Sequence, residues 1–251
     1  MDMEEKKVVK WNELSPKQQN EFTMDNSIRK FDNYIDYDYD MSDNPVPIFW
    51  SKDKIDGCIK KVQSREMGGY GITDMDLYKC LTKYPIKNKS VAIIGSQSPW
   101  YESICLGFGG VPTTIEYNKL KTDDDRLTLM TVEEYDRNPI KFDAVISISS
   151  IEHDGLGRYG DPINPDGDIE TMKKIKNKIL KKDGLIFLAV PIGVDTLCWN
   201  AHRVYGEKRW PKLIEEFQVL YSPGFGRGGL DECFGKDMGK EAWQQPVVVL
   251  Q

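Results

Sequence analysis

The 251-residue sequence has no apolar run approaching the ~20 residues that a membrane-spanning helix needs. Residues 1–14 carry no apolar core of signal-peptide type, so the expected location is cytoplasmic; a chain trimmed of an N-terminal anchor would read the same. Basic residues are outnumbered, 34 Lys and Arg against 40 Asp and Glu, which leaves a net charge of −6. No basic run with interleaved aromatics offsets that deficit, which argues against general binding to a nucleic-acid backbone. The five cysteines, at 58, 80, 105, 198 and 233, form no CxxC and no Cys/His pair at zinc spacing. They are expected to be reduced thiols. There is no internal repeat, and histidine occurs only twice.

The rest describes an ordinary globular chain. Hydrophobic residues make up 39%, aromatics 11% and charged residues 29%, a mixture too apolar for disorder. The length suits one large domain or two small ones. Residues 1–72 read as an N-terminal arm and cap segment, and 73–251 as the main domain. In the arm, Ser15-Pro16 reads as the N-cap and first residue of a short helix. The Tyr/Asp alternation from Asp32 to Asp40 fits either an edge strand or a wrapped arm. Pro45, Pro47 and Gly68-Gly69 mark 45–72 as linker or cap. Thr73, with Asp76 three residues on, reads as the opening of a helix that Pro85 ends.

Beyond residue 88, short β-branched runs alternate with helical stripes. The runs are 91–94, 113–115, 127–129, 144–148 and 185–190, followed by 219–221 and 247–250. They barely alternate, as strands buried on both faces do. Ile169, Met172, Ile175, Ile179 and Leu180 form a helical stripe that Gly184 is expected to end, and a last helix is expected over 207–217. The pattern predicts an α/β fold, a Rossmann-like doubly wound sheet of seven strands.

Functional signals cluster at strand ends. The first core strand runs into Gly95-Ser96-Gln97-Ser98-Pro99-Trp100, where Ser98-Pro99 reads as N-cap and N1 of a helix. Gly95 lets a ligand approach the backbone. With one glycine the turn is not the GxGxxG dinucleotide fingerprint, which weakens a nicotinamide reading. Glu116, with Tyr117 beside it, follows the second strand at the distance where a carboxylate accepts two ribose hydroxyls; a surface acid at a strand end is the alternative.

The fourth strand opens Phe142-Asp143-Ala144-Val145 and ends Ser149-Ser150-Ile151-Glu152-His153. Together, the Gly95 turn, Glu116 and this strand resemble class I S-adenosylmethionine-dependent methyltransferases over about residues 88–251. The stretch 148–162, with Trp199-Asn200-Ala201-His202-Arg203-Val204-Tyr205, more narrowly resembles the uncharacterised DUF268 group. The resemblance implies S-adenosylmethionine as cofactor. Gly95, Ser96 and Gln97 would line its methionine part, Glu116 would hold the ribose, and Ser149, Ser150 and Ile151 would border the reacting end. No clear acid follows the third strand, where many relatives contact adenine.

Both histidines fall at or beyond carboxyl ends of strands, the edge where open α/β sheets bind ligands. Methyl transfer to a sugar hydroxyl is helped by a positioned base. The candidates are His153 first, then His202, with Asp154 as orienting group or base; a purely structural histidine is the competing reading. Arg158, Tyr159 and Asp161, in a Gly-, Pro- and Asp-rich loop, suit a polar, hydroxyl-rich acceptor. Asp154, Asp161, Asp166 and Asp168 lack calcium-loop spacing, so a divalent metal is not favoured over turn-building and a helix cap at Asp168. The function expected is O-methylation of a sugar, glycan or other small polar acceptor. The rivals are a nicotinamide-dependent oxidoreductase or epimerase and a non-catalytic methyltransferase-like binding module.

Overall fold

The computed structural model describes residues 8–36, 46–224 and 244–251. Tyr37 to Asp40 of the Tyr/Asp run, Pro45 and Cys233 lie outside the described residues. In chain order the first elements are α1 (Pro16–Phe22), β1 (Arg29–Asn33), β2 (Ile48–Trp50), α2 (Lys52–Gln63) and α3 (Ile72–Lys83). There follow β3 (Ser90–Ile94), α4 (Trp100–Gly107), β4 (Val111–Glu116), β5 (Leu120–Thr122), β6 (Thr128–Thr131), α5 (Val132–Arg137) and β7 (Phe142–Ile148). The chain continues through α6 (Gly167–Lys174), β8 (Leu180–Ala189), β9 (Thr196–Asn200) and β10 (His202–Val204). Then come α7 (Trp210–Leu213), β11 (Val219–Tyr221) and β12 (Val248–Leu250).

Seven strands form the main sheet in the order β11-β12-β8-β7-β3-β4-β6. From β8 to β6 every neighbouring pair is parallel, whereas β12 runs antiparallel to both β8 and β11. The sheet is the Rossmann-like, doubly wound arrangement of seven strands that the sequence predicts, with its closing strand reversed. The unalternated strands have the cause expected of them. Ala92, Val145, Ile186 and Leu188 pack on one face with Met172 and Ile175, and Val91, Ile93, Ala144 and Ile146 pack on the other with Leu77, Leu81 and Ile104. Successive residues point to opposite faces and both faces are covered, so both parities are apolar.

The arm is tied to the sheet domain at several points. Ser15 caps α1, its hydroxyl accepting from Gln18 N, and Gln18 reaches back to Ser15 N. The start of the Tyr/Asp run is a strand: β1 lies parallel beside β9, which pairs antiparallel with β10. Phe22, Leu14, Leu156, Leu197 and Trp199 form a separate apolar cluster there, with Trp11 and Phe22 edge-on to Trp199. Aromatic pairs in this geometry contribute about 0.5–1.5 kcal/mol beyond their burial. Residues 45–72 are more than a linker, since they hold β2, paired with β5, and α2, which puts Val62 into the main core.

Several boundaries differ from the sequence expectation. The N-cap of α3 is Gly71, because the Thr73 hydroxyl instead donates to the Gln245 carbonyl. Pro99, not Ser98, precedes α4. The 169–180 stripe ends as helix before Leu180: α6 passes into a π-helical turn over Ile175–Ile179, and Leu180 already pairs with Phe142. Gly184 lies within β8, beside the register shift opposite Phe142 and Ala144, and does not end a helix. The last helix is only the four residues of α7. Asp166, not Asp168, stands at the N-cap of α6.

Asp168 is fully buried and serves as a bolt. It accepts from Arg209 Nε at 2.9 Å and Nη2 at 2.5 Å, and from Tyr205 Oη at 2.9 Å, with Arg203 Nε at 3.8 Å. Burial pushes its carboxyl up, but the two guanidiniums outweigh that and hold it below the usual range. Such a depressed carboxyl contributes stability that is present above its unfolded pKa of about 3.9 and lost as pH falls through the folded value. Asp168→Ala leaves buried cations uncompensated and is expected to cost about 3–5 kcal/mol in urea unfolding at neutral pH. A loss below about 1 kcal/mol would show that the pair adds little.

Candidate functional site

The chain leaves β3 toward β4 and leaves β7 toward β8, so a crevice opens between their carboxyl ends. Gly95 follows β3 and Ser149 follows β7, and the two turns meet. Gly95 has φ +72°, and a Cβ there would fall 2.0 Å from Ser150 Oγ. Only glycine fits. Ser149, at φ +53°, is a non-glycine residue in the left-handed region, held by Ser149 N donating to the Ala189 carbonyl at 2.9 Å. The crevice widens into a cavity of about 620 Å³.

Glu116, the last residue of β4, forms one wall and is 7% exposed. Ser96 N donates to Oε2 at 2.7 Å, and Tyr117 N and Asn118 N donate to Oε1 at 2.8 and 3.4 Å. Burial pushes the carboxyl up, against the pull of these three backbone donors. Three of the carboxylate's roughly four lone-pair sites are taken, and Oε2 keeps one for a ligand hydroxyl. Ser96 Oγ also lies 3.1 Å from Glu102 Oε2, so a buried acid of α4, which burial pushes up to about 7, braces the turn from beneath. Gln97 is exposed at the cavity mouth and Tyr117 half-exposed beside Glu116. Ile94, Ile115, Val132 and Tyr135 give the neighbouring wall an apolar surface.

On the other side the cavity is lined by His153, Asp154, Arg158, Tyr159 and His202. His153 Nδ1 lies 2.5 Å from the Ala201 carbonyl. A carbonyl only accepts, so Nδ1 carries the hydrogen and Nε2 the lone pair. Arg158 Nη1 donates to the same carbonyl at 3.0 Å. Burial, then the Arg158 charge, push His153 down to about 3 and His202 to about 4. Both imidazoles are therefore neutral at pH 7. Asp154 goes the other way: burial, above all, pushes it up to about 8.

Two expected site residues do not line the cavity. Ile151 is wholly buried in the core. Asp161 accepts from Gly155 N at 2.7 Å, Gly157 N at 3.1 Å and Tyr159 N at 3.2 Å. Its carboxylate braces the loop that carries Arg158 and Tyr159 and does not face the cavity.

The family described as "Caenorhabditis protein of unknown function, DUF268" matches residues 88–225. The chain belongs to this family. No curated protein matches it. Among solved structures, this DUF268 chain is similar to the Burkholderia thailandensis 1,6-didemethyltoxoflavin-N1-methyltransferase, described with bound 1,6-didemethyltoxoflavin and S-adenosylhomocysteine. Identity is 14% over 83% of this chain and 92% of that one, with a TM-score of 0.48. It is also similar to the glycopeptide N-methyltransferase MtfA, at 11% identity over 94% of this chain and 97% of that one, with a TM-score of 0.45. A second MtfA structure, complexed with sinefungin, is 13% identical over 69% of this chain and 90% of that one, with a TM-score of 0.39.

The DUF268 cavity also has lining residues that the sequence reading passed over. Asn33 and Ile35 come from the arm, which Asn200 clamps: Ile35 N donates to Asn200 Oδ1 at 2.7 Å, and Asn200 Nδ2 to the Ile35 carbonyl at 2.9 Å. Tyr70 enters ahead of α3 and Gln245 ahead of β12. Glu152 is the most consequential. It is wholly buried, its Oε1 accepts from Ser149 Oγ at 2.7 Å, and burial pushes it up to about 7. It stands beside His153 in the quoted motif, but nothing in the sequence reports its burial. Among the described residues no group of three or more His, Cys, Asp or Glu is placed to hold a metal.

A carboxyl raised by folding contributes stability that is complete below its unfolded pKa, about 4.3 for Glu, and that fades as pH rises through the folded value. For Glu152 the decline spans about pH 4 to 8 and amounts to about 3 kcal/mol. Urea unfolding across that range is expected to show the decline, with Glu152→Gln removing that share of it. An unchanged slope in the variant would place the group's titration elsewhere.

Proposed function

We propose that this protein is an S-adenosylmethionine-dependent methyltransferase acting on a hydroxyl of a small polar acceptor, a sugar or glycan being the leading class. The observation that carries the reading is Glu116, held by three backbone donors, one of them Ser96 N of the Gly95 turn, beside the sheet's switch point. The donor set suits a nucleoside. A carboxylate with a spare lone pair faces where a ribose diol would lie, and an apolar wall suits a purine ring. Gly95, Ser96 and Gln97 would border the methionine part, with Ser149 and Ser150 at the reacting end. A dinucleotide fits less well, because the positions of the second and third fingerprint glycines hold Gln97 and Trp100. Trp100 packs so closely that a Cβ on Gly68 would meet its indole at 2.6 Å.

Bound there, S-adenosylmethionine supplies an electrophilic methyl on a sulfonium, whose S–CH3 electron pair stays on sulfur as the acceptor oxygen bonds the carbon. The protein aligns the acceptor and removes its proton. Arg158, Tyr159, Tyr70 and Gln245 offer polar contacts for a hydroxyl-rich acceptor. His153, its Nδ1 occupied, presents Nε2 to orient it, and His202 and Asp154 complete that side. The two imidazoles are neutral but weak as bases, so the proton goes to a carboxyl.

Calorimetric titration with S-adenosylhomocysteine tests the reading. Micromolar binding is expected, and Glu116→Ala should weaken it about 10- to 100-fold through loss of a charge-assisted hydrogen bond. Gly95→Ala should weaken it comparably, with the fold retained by circular dichroism. Absence of binding heat to the unaltered protein would favour a non-catalytic module.

A further inference from the structure

Two carboxyls line the acceptor side of the cavity, and their surroundings differ. Asp154 is hydrogen-bonded to Thr171 of α6 and shares its environment with Asp161, Asp168 and Arg203. Glu152 has Ser149 Oγ at 2.7 Å, Gln245 Nε2 at 3.4 Å and His153 Nε2 at 3.8 Å, all on Oε1. Among the described residues its Oε2 is buried with no hydrogen-bond partner, while the backbone amides of Ser150 and Glu152 lend the carboxyl group limited support. A carboxylate with a bare buried oxygen is costly, whereas a carboxylic acid in the same place is far less so.

The charged and titratable groups around Glu152 do not neutralise it by contact. Arg203 Nη1 faces the backbone carbonyls of Glu152 and Asp154, at 3.4 and 2.6 Å, and its acidic partner is Asp168. Arg158 acts on Glu152 from a distance while donating to the Ala201 carbonyl. The phenols of Tyr70 and Tyr205 are uncharged, each pushed up by burial. Among the described residues, the one ion-pair partner of Glu152 is His153, itself neutral. The site therefore holds a position where a negative charge is disfavoured until a positive one arrives.

We propose that Glu152 is the proton acceptor of the transfer, and that it rests as a carboxylic acid and ionises when the cationic cofactor enters the cavity. This rests on the cofactor reading above. An opposite charge brought into a dry cavity favours the carboxylate, and Glu152 gives its proton to solvent. During the transfer Glu152 takes the acceptor's O–H proton as the oxygen–carbon bond forms and the sulfur–carbon bond breaks. The charges balance: sulfonium, carboxylate and alcohol become thioether, carboxylic acid and methyl ether. Both buried charges disappear in one step, which a dry site favours. The imidazoles are poorly suited to this part: burial and the Arg158 charge hold both far below the usual histidine range, and an arriving sulfonium lowers them further.

The test needs no acceptor. Titration at about pH 6, in buffers of different ionisation enthalpy, counts the protons released on binding. S-adenosylmethionine is expected to release about one proton more than the neutral S-adenosylhomocysteine. Glu152→Gln should bind both ligands with no difference between them, and Asp154→Asn should keep the difference. Equal release by the two ligands from the unaltered protein, or a difference surviving in Glu152→Gln, would overturn the proposal. If Glu152→Gln does not fold, infrared difference spectra of Asp154→Asn decide. In that variant the difference spectrum should show loss of one protonated-carboxyl stretch with S-adenosylmethionine and none with S-adenosylhomocysteine, and no loss with either overturns the proposal. Binding of neither ligand removes the cofactor reading and this inference with it, a result distinct from binding without proton release.

Discussion

The approach of two turns governs this molecule: the one after β3 and the one after β7 touch, with no room for a side chain between Gly95 and Ser150. Strands β3 and β7 are parallel neighbours whose continuations part in opposite directions across the sheet. That parting makes the crevice, and the contact fixes its inner end. Glu116, one strand further, is drawn to the same turn by Ser96 N. The Gly95 turn, Ser149, Ser150 and Glu116 thus form a rigid frame at the sheet's edge, tied by backbone donors whose positions the sheet dictates. Everything more variable, including the loop with Arg158 and Tyr159, hangs from that frame.

The frame was legible because it depends on local chemistry at fixed distances. Buried parallel strands announce themselves by β-branched runs of both parities, and Gly95 and Glu116 sit where consecutive strands of such a sheet end. Boundaries set by remote contacts were not legible. Thr73 looks like a cap, but its hydroxyl goes to Gln245, far away in sequence. Asp168 looks like a cap, but two arginines beyond β9 claim it. The helix α2 was missed for a different reason. Ile55, Ile59 and Val62 have helical spacing, but the prolines before them and the paired glycines after them favoured a linker.

The acceptor side shows the same division in its chemistry. The residue types at strand ends pointed to the edge where the cavity lies, and His153, Asp154 and His202 all line it. Their proton affinities are properties of burial, which spacing does not encode. Burial lowers the imidazoles and raises the carboxyls, so the order of basicity inverts relative to water. Glu152 and Asp161 illustrate it in opposite directions. The first, unremarked in the sequence, is a buried part of the cavity wall; the second, prominent in an acidic loop, has its carboxylate taken by three amide groups.

The arm strand β1 and the Asn200 clamp on Ile35 join positions 165 residues apart in sequence. Loops of that span close slowly, because chain entropy must be lost before the pairing rewards it. During synthesis the arm is made before β9, which follows most of the sheet strands. Strand β1 therefore waits for its partner while those strands are made, and the Asn200 clamp that holds Ile35 at the cavity forms only once β9 is present.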